Sequence, residues 1–103
     1  IMDLVDGHLL AIEHLFLNKG RIINLNLGTG KGKTVLDLIN SFQEVNKVKI
    51  SYEFAEKRKG DVENVVANNE LSKRILKWEP QRDIFDMCRD GWKWKRLNPN
   101  GYE

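Results

Sequence analysis

Three consecutive cations, a glycine and a carboxylate form the segment of the chain best suited to hold an anionic ligand: Lys57-Arg58-Lys59-Gly60-Asp61. An arginine presents a planar fork of N–H donors that matches a phosphate group. An ionised aspartate only accepts hydrogen bonds and can receive them from the hydroxyls of a ribose. Charge runs like this one are also common on solvated surfaces. The chemistry of these residues therefore leaves both interpretations open.

The residues before this segment predict that it follows a strand. Apolar and polar side chains alternate over residues 48–54, and an earlier alternation covers residues 23–27. Between them, Thr34 and Asp37 have the spacing of a capping box at the start of a helix. Strand, helix and strand in this order predict an α/β fold with a parallel, right-handed βαβ unit. Ligands of open α/β sheets bind beyond the strand ends, where this segment would lie.

Three further helices flank this unit in the prediction. The first runs from a capping Asp3 to about Asn18, where Asn18-Lys19-Gly20 ends it. A short helix begins at Asn68 or Asn69 and ends before Pro80, and a last helix runs from about Arg82 to Arg96. Residues 62–67 are apolar enough to form an edge strand.

The glycine-rich segment before Thr34 resembles the end of a phosphate-binding loop but lacks its spacing. The first glycine of such a loop would fall at position 27, which is Leu27. Residues 28–34 are therefore predicted to form a tight strand-to-helix turn with several positive φ angles.

Other side chains capable of chemistry are predicted to be structural. Cys88 lies at helical spacing between Phe85 and Trp92, as expected of a core residue. His8 and His14 are six residues apart, on different faces of a helix, so no metal site is predicted.

Length and charge narrow the class of protein. A chain of 103 residues forms one domain or part of one, and its net charge of +2 does not favour a nucleic-acid or membrane partner. The single cysteine suits the cytoplasm. Because a helix follows Ile1 almost at once, an N-terminal portion is expected to be missing.

Five segments resemble the C-terminal part of the UDP-glucose 4-epimerases, which are extended short-chain dehydrogenase/reductase proteins. They are I-M-D-L-V-D-G-H, N-L-G-T-G-K-G, K-R-K-G-D, L-K-W-E-P and D-G-W-K-W-K-R-L-N-P-N-G-Y. The resemblance covers essentially the whole chain. It implies a substrate-binding part of an isomerase that interconverts UDP-glucose and UDP-galactose through a 4-keto sugar.

The resemblance also assigns the cofactor and the partners. It implies that NAD is held by an N-terminal Rossmann domain absent from this chain, and that the full-length protein forms a homodimer. The chain has no G-x-x-G-x-x-G fingerprint and no tyrosine followed four residues later by lysine. No catalytic or cofactor-binding residue is therefore expected, and the chain alone should be inactive.

The resemblance implies roles for three residues. Arg58 takes the place of the arginine that contacts the pyrophosphate, and Asp61 that of the aspartate that contacts the ribose. Val65 occupies the position that gates the size of the sugar, and a small valine there implies tolerance of N-acetylated sugars. Glu56-Lys57 departs from the proline or arginine usual before this arginine.

Two alternatives remain at this point. The chain could be a stand-alone binding or assembly module without chemistry. It could also belong to a related dehydratase or decarboxylase that acts on another nucleotide sugar.

Overall fold

The computed structural model describes residues 1–102, which fold into two compact units. Four helices are present in these residues: α1 (Met2–Leu17), α2 (Val35–Asn46), α3 (Glu70–Leu76) and α4 (Ile84–Leu97). The first unit joins Ile1–Gly32 to Asn64–Gln81 and contains α1 and α3. The second joins Lys33–Glu63 to the segment that begins at Arg82 and contains α2 and α4.

A buried tryptophan fastens the first unit together. The indole of Trp78 is only 3% exposed, and its Nε1–H donates to the Asp3 carbonyl oxygen at 2.9 Å. The Asp3 carboxylate accepts the main-chain N–H of Gln81 at 3.1 Å. These two bonds tie the start of α1 to the segment that follows α3, and α1 packs on α3. Trp78 is therefore the anchor of this unit.

A serine fixes the extended segment that follows α1. Ser72 in α3 is completely buried, and its hydroxyl lies 2.6 Å from the Asn26 carbonyl oxygen and 3.0 Å from that of Asn69. The side-chain amide of Asn69 donates to the Gly28 carbonyl oxygen at 2.7 Å. Side chains of α3 and its N-cap thus satisfy main-chain groups that a neighbouring strand would otherwise bond.

The glycines of residues 28–32 are required mainly because neighbouring side chains leave no room for a Cβ, and less because of unusual backbone angles. Only Gly30 has a positive φ there, at 70°, so the expectation of several positive φ angles was wrong. A Cβ added at Gly28 would lie 2.7 Å from the Ala67 Cβ. One added at Gly32 would lie 3.2 Å from the Asn64 side-chain oxygen.

Replacing Gly28 with alanine is therefore expected to lower the free energy of unfolding by about 1–3 kcal/mol, because neither methyl group can rotate away. Gly91 provides the control, since it lies inside α4 and a Cβ there meets nothing within 4 Å. Gly91→Ala should raise the free energy of unfolding by about 0.5–1 kcal/mol. Urea denaturation of both variants checks the pair. If Gly28→Ala is as stable as the unsubstituted protein, a Cβ at position 28 does not clash with Ala67.

Reciprocal caps begin both helices of the second unit. Thr34 accepts the Asp37 main-chain N–H at 3.0 Å, and the Asp37 carboxylate accepts that of Thr34 at 2.9 Å, which confirms the predicted capping box. Asp83 and Asp86 make the same exchange at α4. The N–H of Thr34 lowers the pKa of Asp37, and that of Asp83 lowers the pKa of Asp86, since each bond favours the ionised carboxylate.

The two helices of this unit meet through side chains of both. The Phe42 and Trp92 rings pack edge to face with centroids 5.6 Å apart. The Asn46 amide donates to the Cys88 carbonyl oxygen at 3.1 Å. The main-chain N–H of Ile50, which follows α2, donates to the Gln43 side chain at 2.8 Å.

The predicted βαβ unit and the edge strand were wrong, because residues 1–102 contain no strand. The alternation of apolar and polar residues over 23–27 corresponds to alternating burial. The side chains of Ile23, Leu25 and Leu27 are half-buried, while those of Asn24 and Asn26 are exposed. A strand also requires a neighbouring strand that bonds its main-chain groups, and the ranges 23–27, 48–54 and 62–67 have none among residues 1–102. Residues 23–27 and 48–54 moreover belong to different units.

The predicted helices are confirmed to within a few residues at their ends. Gly20 follows α1 with a φ of 77°, as the stop signal predicts. Asp3 does not cap α1, because the N-cap position falls at Ile1. Asn69 is the N-cap of α3, while the neighbouring Asn68 side chain accepts the Glu70 N–H at 2.9 Å.

Candidate functional site

The segment that carries the three cations folds into a tight turn in the second unit. The main-chain N–H of Asp61 donates to the Arg58 carbonyl oxygen at 3.2 Å, which closes a four-residue turn. Gly60 is the third residue of this turn and has a φ of 94°, a conformation that side chains with a Cβ rarely adopt. The turn brings the first and last of its side chains, Arg58 and Asp61, to the same side.

Arg58 and Asp61 form an ion pair across the turn. The Arg58 Nε–H donates to one carboxylate oxygen of Asp61, Oδ2, at 3.1 Å. The Arg58 side chain is 87% exposed and that of Asp61 is 41% exposed. Both groups are accessible to a ligand in this conformation.

A second ion pair flanks the first. Lys57 Nζ lies 3.5 Å from a carboxylate oxygen of Glu63, and both side chains are exposed. Asp61 and the nearby Glu63 are thus each paired with one cation of the segment. Lys59, at the tip of the turn, has no such partner within residues 1–102.

Val65 lies in the first unit and its side chain is 79% exposed. The structure therefore brings Arg58 and Asp61 into contact within one unit, whereas Val65 belongs to the other. Each is accessible in its own unit.

An open cavity of about 410 Å³ is present in the first unit, and sequence reasoning did not single it out. Its lining is mainly polar: Asn26, Asn68, Glu70, Leu71 and Arg74. Asn26 lies more than forty positions from the others, so no local pattern could have revealed the group. Its charged side chains, Glu70 and Arg74, are exposed to solvent.

Cys88 is a core residue, as predicted. Its side chain is buried in α4, and burial raises the pKa of its thiol, with a smaller contribution from the charge of Asp83. A raised pKa keeps the sulfur protonated and unreactive. No group of three or more His, Cys, Asp or Glu side chains able to hold a metal ion is found in the part of the chain that the structure describes.

The Thr34 hydroxyl caps α2, which gives this side chain a structural role. This arrangement agrees with the failed spacing of the phosphate loop. None of the helices in residues 1–102 has both the length and the apolar character that crossing a bilayer requires.

Proteins similar to this chain are UDP-glucose 4-epimerases. The enzyme of Dictyostelium discoideum is 38% identical over 99% of this chain, and that of Bacillus subtilis is 39% identical over all of it. UDP-glucose 4-epimerase 3 of Oryza sativa subsp. japonica is 41% identical over 99% of the chain. The chain spans about 30% of the length of these relatives. No protein-family model matches the chain.

Solved structures of UDP-glucose 4-epimerases from other organisms contain a part with the same fold as this chain. The UDP-glucose 4-epimerase of Stenotrophomonas maltophila, with bound NAD and formylated UDP-arabinopyranose, superposes on 94% of this chain with a TM-score of 0.90 and 39% identity. That of Bifidobacterium longum, in complex with NAD⁺ and UDP, superposes on 97% with a TM-score of 0.87 and 32% identity. The chain covers 29% of each of these structures. The predicted resemblance is therefore confirmed: along its whole length this chain is similar to a part of the UDP-glucose 4-epimerases.

Proposed function

We propose that this chain is the C-terminal, UDP-sugar-binding part of an NAD-dependent UDP-glucose 4-epimerase. The observation that carries the proposal is the similarity over the whole chain to enzymes of this name, at 38–41% identity. Such an enzyme interconverts UDP-glucose and UDP-galactose through a 4-keto sugar. The turn from Arg58 to Asp61 supports a binding role, because it presents a guanidinium and a carboxylate side by side on an accessible surface.

Arg58 would neutralise the diphosphate of the UDP-sugar, and Asp61 would accept hydrogen bonds from the ribose hydroxyls. A guanidinium suits the first task because two of its N–H groups can donate to one phosphate at once. A carboxylate suits the second because each of its oxygens has two acceptor positions. Lys57 and Lys59 would add only a positive potential, since Lys57 already faces Glu63.

The residues of this chain do not fit an NAD site. NAD is bound in both solved epimerase structures. Here the sequence contains neither the G-x-x-G-x-x-G fingerprint nor a tyrosine followed four residues later by lysine. We assign no step of the oxidation to this chain, and its contribution is to bind and orient the substrate. A homodimer and a cytoplasmic location are part of the same proposal.

The proposal is tested by expressing the whole polypeptide from its complete gene and assaying it with UDP-galactose and NAD. The expected product is UDP-glucose, and the 103-residue chain assayed alone should form none. Release of a dehydrated sugar from UDP-galactose, or of a decarboxylated sugar when a UDP-hexuronic acid is supplied instead, would favour a related nucleotide-sugar enzyme. Absence of any product, with no binding of UDP, would favour a module without chemistry.

Val65 is proposed to set the size of the sugar that the enzyme accepts. Val65→Tyr is expected to lower kcat/KM for UDP-N-acetylglucosamine by about ten- to a hundredfold relative to UDP-glucose, because the larger ring would occupy the space of the acetamido group. Val62→Tyr is the control, since Val62 is similarly exposed and has no assigned role. If the parent enzyme converts UDP-glucose but does not convert UDP-N-acetylglucosamine, this assignment is wrong.

A further inference from the structure

The ion pair between Arg58 and Asp61 uses only part of each side chain. It joins the Arg58 Nε–H to a single carboxylate oxygen, Asp61 Oδ2. Within residues 1–102, the terminal nitrogens of the Arg58 guanidinium and the second oxygen of Asp61 make no hydrogen bond. The pair thus leaves the four N–H donors of the two terminal nitrogens and the second carboxylate oxygen available to other partners.

This geometry makes the two proposed binding roles compatible with each other. A phosphate takes its two hydrogen bonds from the guanidinium edge that the terminal nitrogens form, or from one of them. A ribose diol can bond the second oxygen of Asp61. Neither ligand group therefore requires the pair to open.

We infer that Asp61 is a positioning residue for Arg58, holding the guanidinium through Nε so that its terminal N–H groups face the diphosphate. This inference rests on the proposed function of the turn and adds a second task for Asp61 beyond its contact with the ribose. An arginine side chain has several rotatable bonds, and a partner that fixes Nε removes part of the entropy that binding would otherwise cost. The turn supplies the partner because Gly60 and the bond from the Asp61 N–H to the Arg58 carbonyl oxygen fold the chain back over three residues.

Positioning by Asp61 and simple charge repulsion predict opposite changes in diphosphate binding when Asp61 is removed, so the direction of the change distinguishes them. If Asp61 acted on the diphosphate only through its negative charge, removing that charge would strengthen diphosphate binding. If Asp61 positions Arg58, its removal weakens diphosphate binding.

Glu63 lies just after this segment and supplies a matched control. It carries the same charge as Asp61, lies two residues away and pairs with Lys57 instead of Arg58. Glu63→Gln therefore removes one negative charge close to the turn and leaves the pair of Arg58 with Asp61 intact.

The experiment measures Kd for UDP and for uridine with the whole polypeptide carrying NAD. The ratio of the two Kd values is the diphosphate increment, the factor by which the diphosphate tightens binding. A residue that contacts only the ribose weakens UDP and uridine equally and leaves this increment unchanged. Asp61→Ala is expected to reduce the increment about two- to fivefold, the strength of an exposed ion pair. Glu63→Gln is expected to leave the increment unchanged or to raise it.

Two further measurements separate positioning from a general loss of structure. Asp61→Asn should restore part of the increment, because an amide oxygen still accepts from the Arg58 Nε–H. The NMR resonance of this Nε–H should move in Asp61→Ala and stay in place in Glu63→Gln. An increment that is unchanged or larger in both Asp61→Ala and Asp61→Asn overturns the inference.

The failure of this inference differs from the failure of the proposed function. Arg58→Ala should reduce the diphosphate increment by about ten- to a hundredfold, whatever Asp61 does. An increment untouched by Arg58→Ala would reject the binding role of the turn itself. A large effect of Arg58→Ala with no effect of Asp61→Ala would reject only the positioning role.

Discussion

Replacing Arg58 with alanine is expected to raise KM for UDP-galactose by about one to two orders of magnitude in the whole enzyme. The variant loses a charged hydrogen bond to the diphosphate, and such a bond contributes roughly 1.5–3 kcal/mol. Because the diphosphate does not react, ground state and transition state lose the same interaction, and kcat should change little. Steady-state kinetics with UDP-galactose as the varied substrate checks both values.

Lys59→Ala is the matched control for this prediction. It removes the same charge one residue away, from a side chain that has no ion-pair partner within residues 1–102. The exposed charge acts only at long range through solvent, so KM should rise by about threefold or less. Arg58→Lys should fall between the two variants, since lysine keeps the charge and loses the fork of donors. Equal effects of Arg58→Ala and Lys59→Ala would contradict the assignment.

Trp78→Ala is expected to cause the largest loss of stability, about 3–5 kcal/mol of the free energy of unfolding. The substitution removes the most buried large side chain of the first unit, together with the hydrogen bond from its Nε1–H to the Asp3 carbonyl oxygen. Urea denaturation, followed by circular dichroism, measures the change.

Two controls divide this loss into its parts. Trp78→Phe keeps most of the buried ring and loses the hydrogen bond, so its cost should be about 1–3 kcal/mol. Trp94→Ala removes the same type of side chain from a site that is 42% exposed, and its cost should be about 1 kcal/mol. A Trp78→Ala variant no less stable than Trp94→Ala would contradict the anchoring role.

The helices could be predicted from the sequence because their signals are local. Thr34 and Asp37 lie three residues apart and cap α2 through their own side chains, so the pattern and the structure coincide. The identical spacing of Asp83 and Asp86 caps α4 and is also visible in the sequence. The prediction placed that helix start at about Arg82 because it did not use this pair.

The absence of strands from residues 1–102 could not be predicted, because the hydrogen bonds that define a strand are not local. Alternation over residues 23–27 correctly indicates which side chains are half-buried. It does not tell which groups bond the main chain, and the partner of the Asn26 carbonyl is the hydroxyl of Ser72, 46 residues later. In the same way, Gly28 is explained by its contact with Ala67, which no nearby residue reveals.

The candidate site was half predictable for the same reason. The residue types in the segment from Lys57 to Asp61 suited both an anion site and a solvated charge run, and the resemblance to the epimerases assigned the roles of Arg58 and Asp61. The ion pair between Arg58 and Asp61 depends on the positive φ of Gly60. This backbone angle folds the chain so that the Arg58 side chain reaches Asp61, three residues later. Arginine, glycine and aspartate at this spacing are a signal that could have predicted the pair.

A crystal structure of the whole polypeptide with UDP bound would show directly whether Arg58 and Asp61 bind the substrate. We expect a diphosphate oxygen within about 2.7–3.2 Å of a terminal nitrogen of Arg58, and a ribose hydroxyl at the same distance from Asp61. We also expect the Arg58 Nε–H still to donate to Asp61. UDP bound with its diphosphate away from Arg58 would contradict the proposed binding role of the turn.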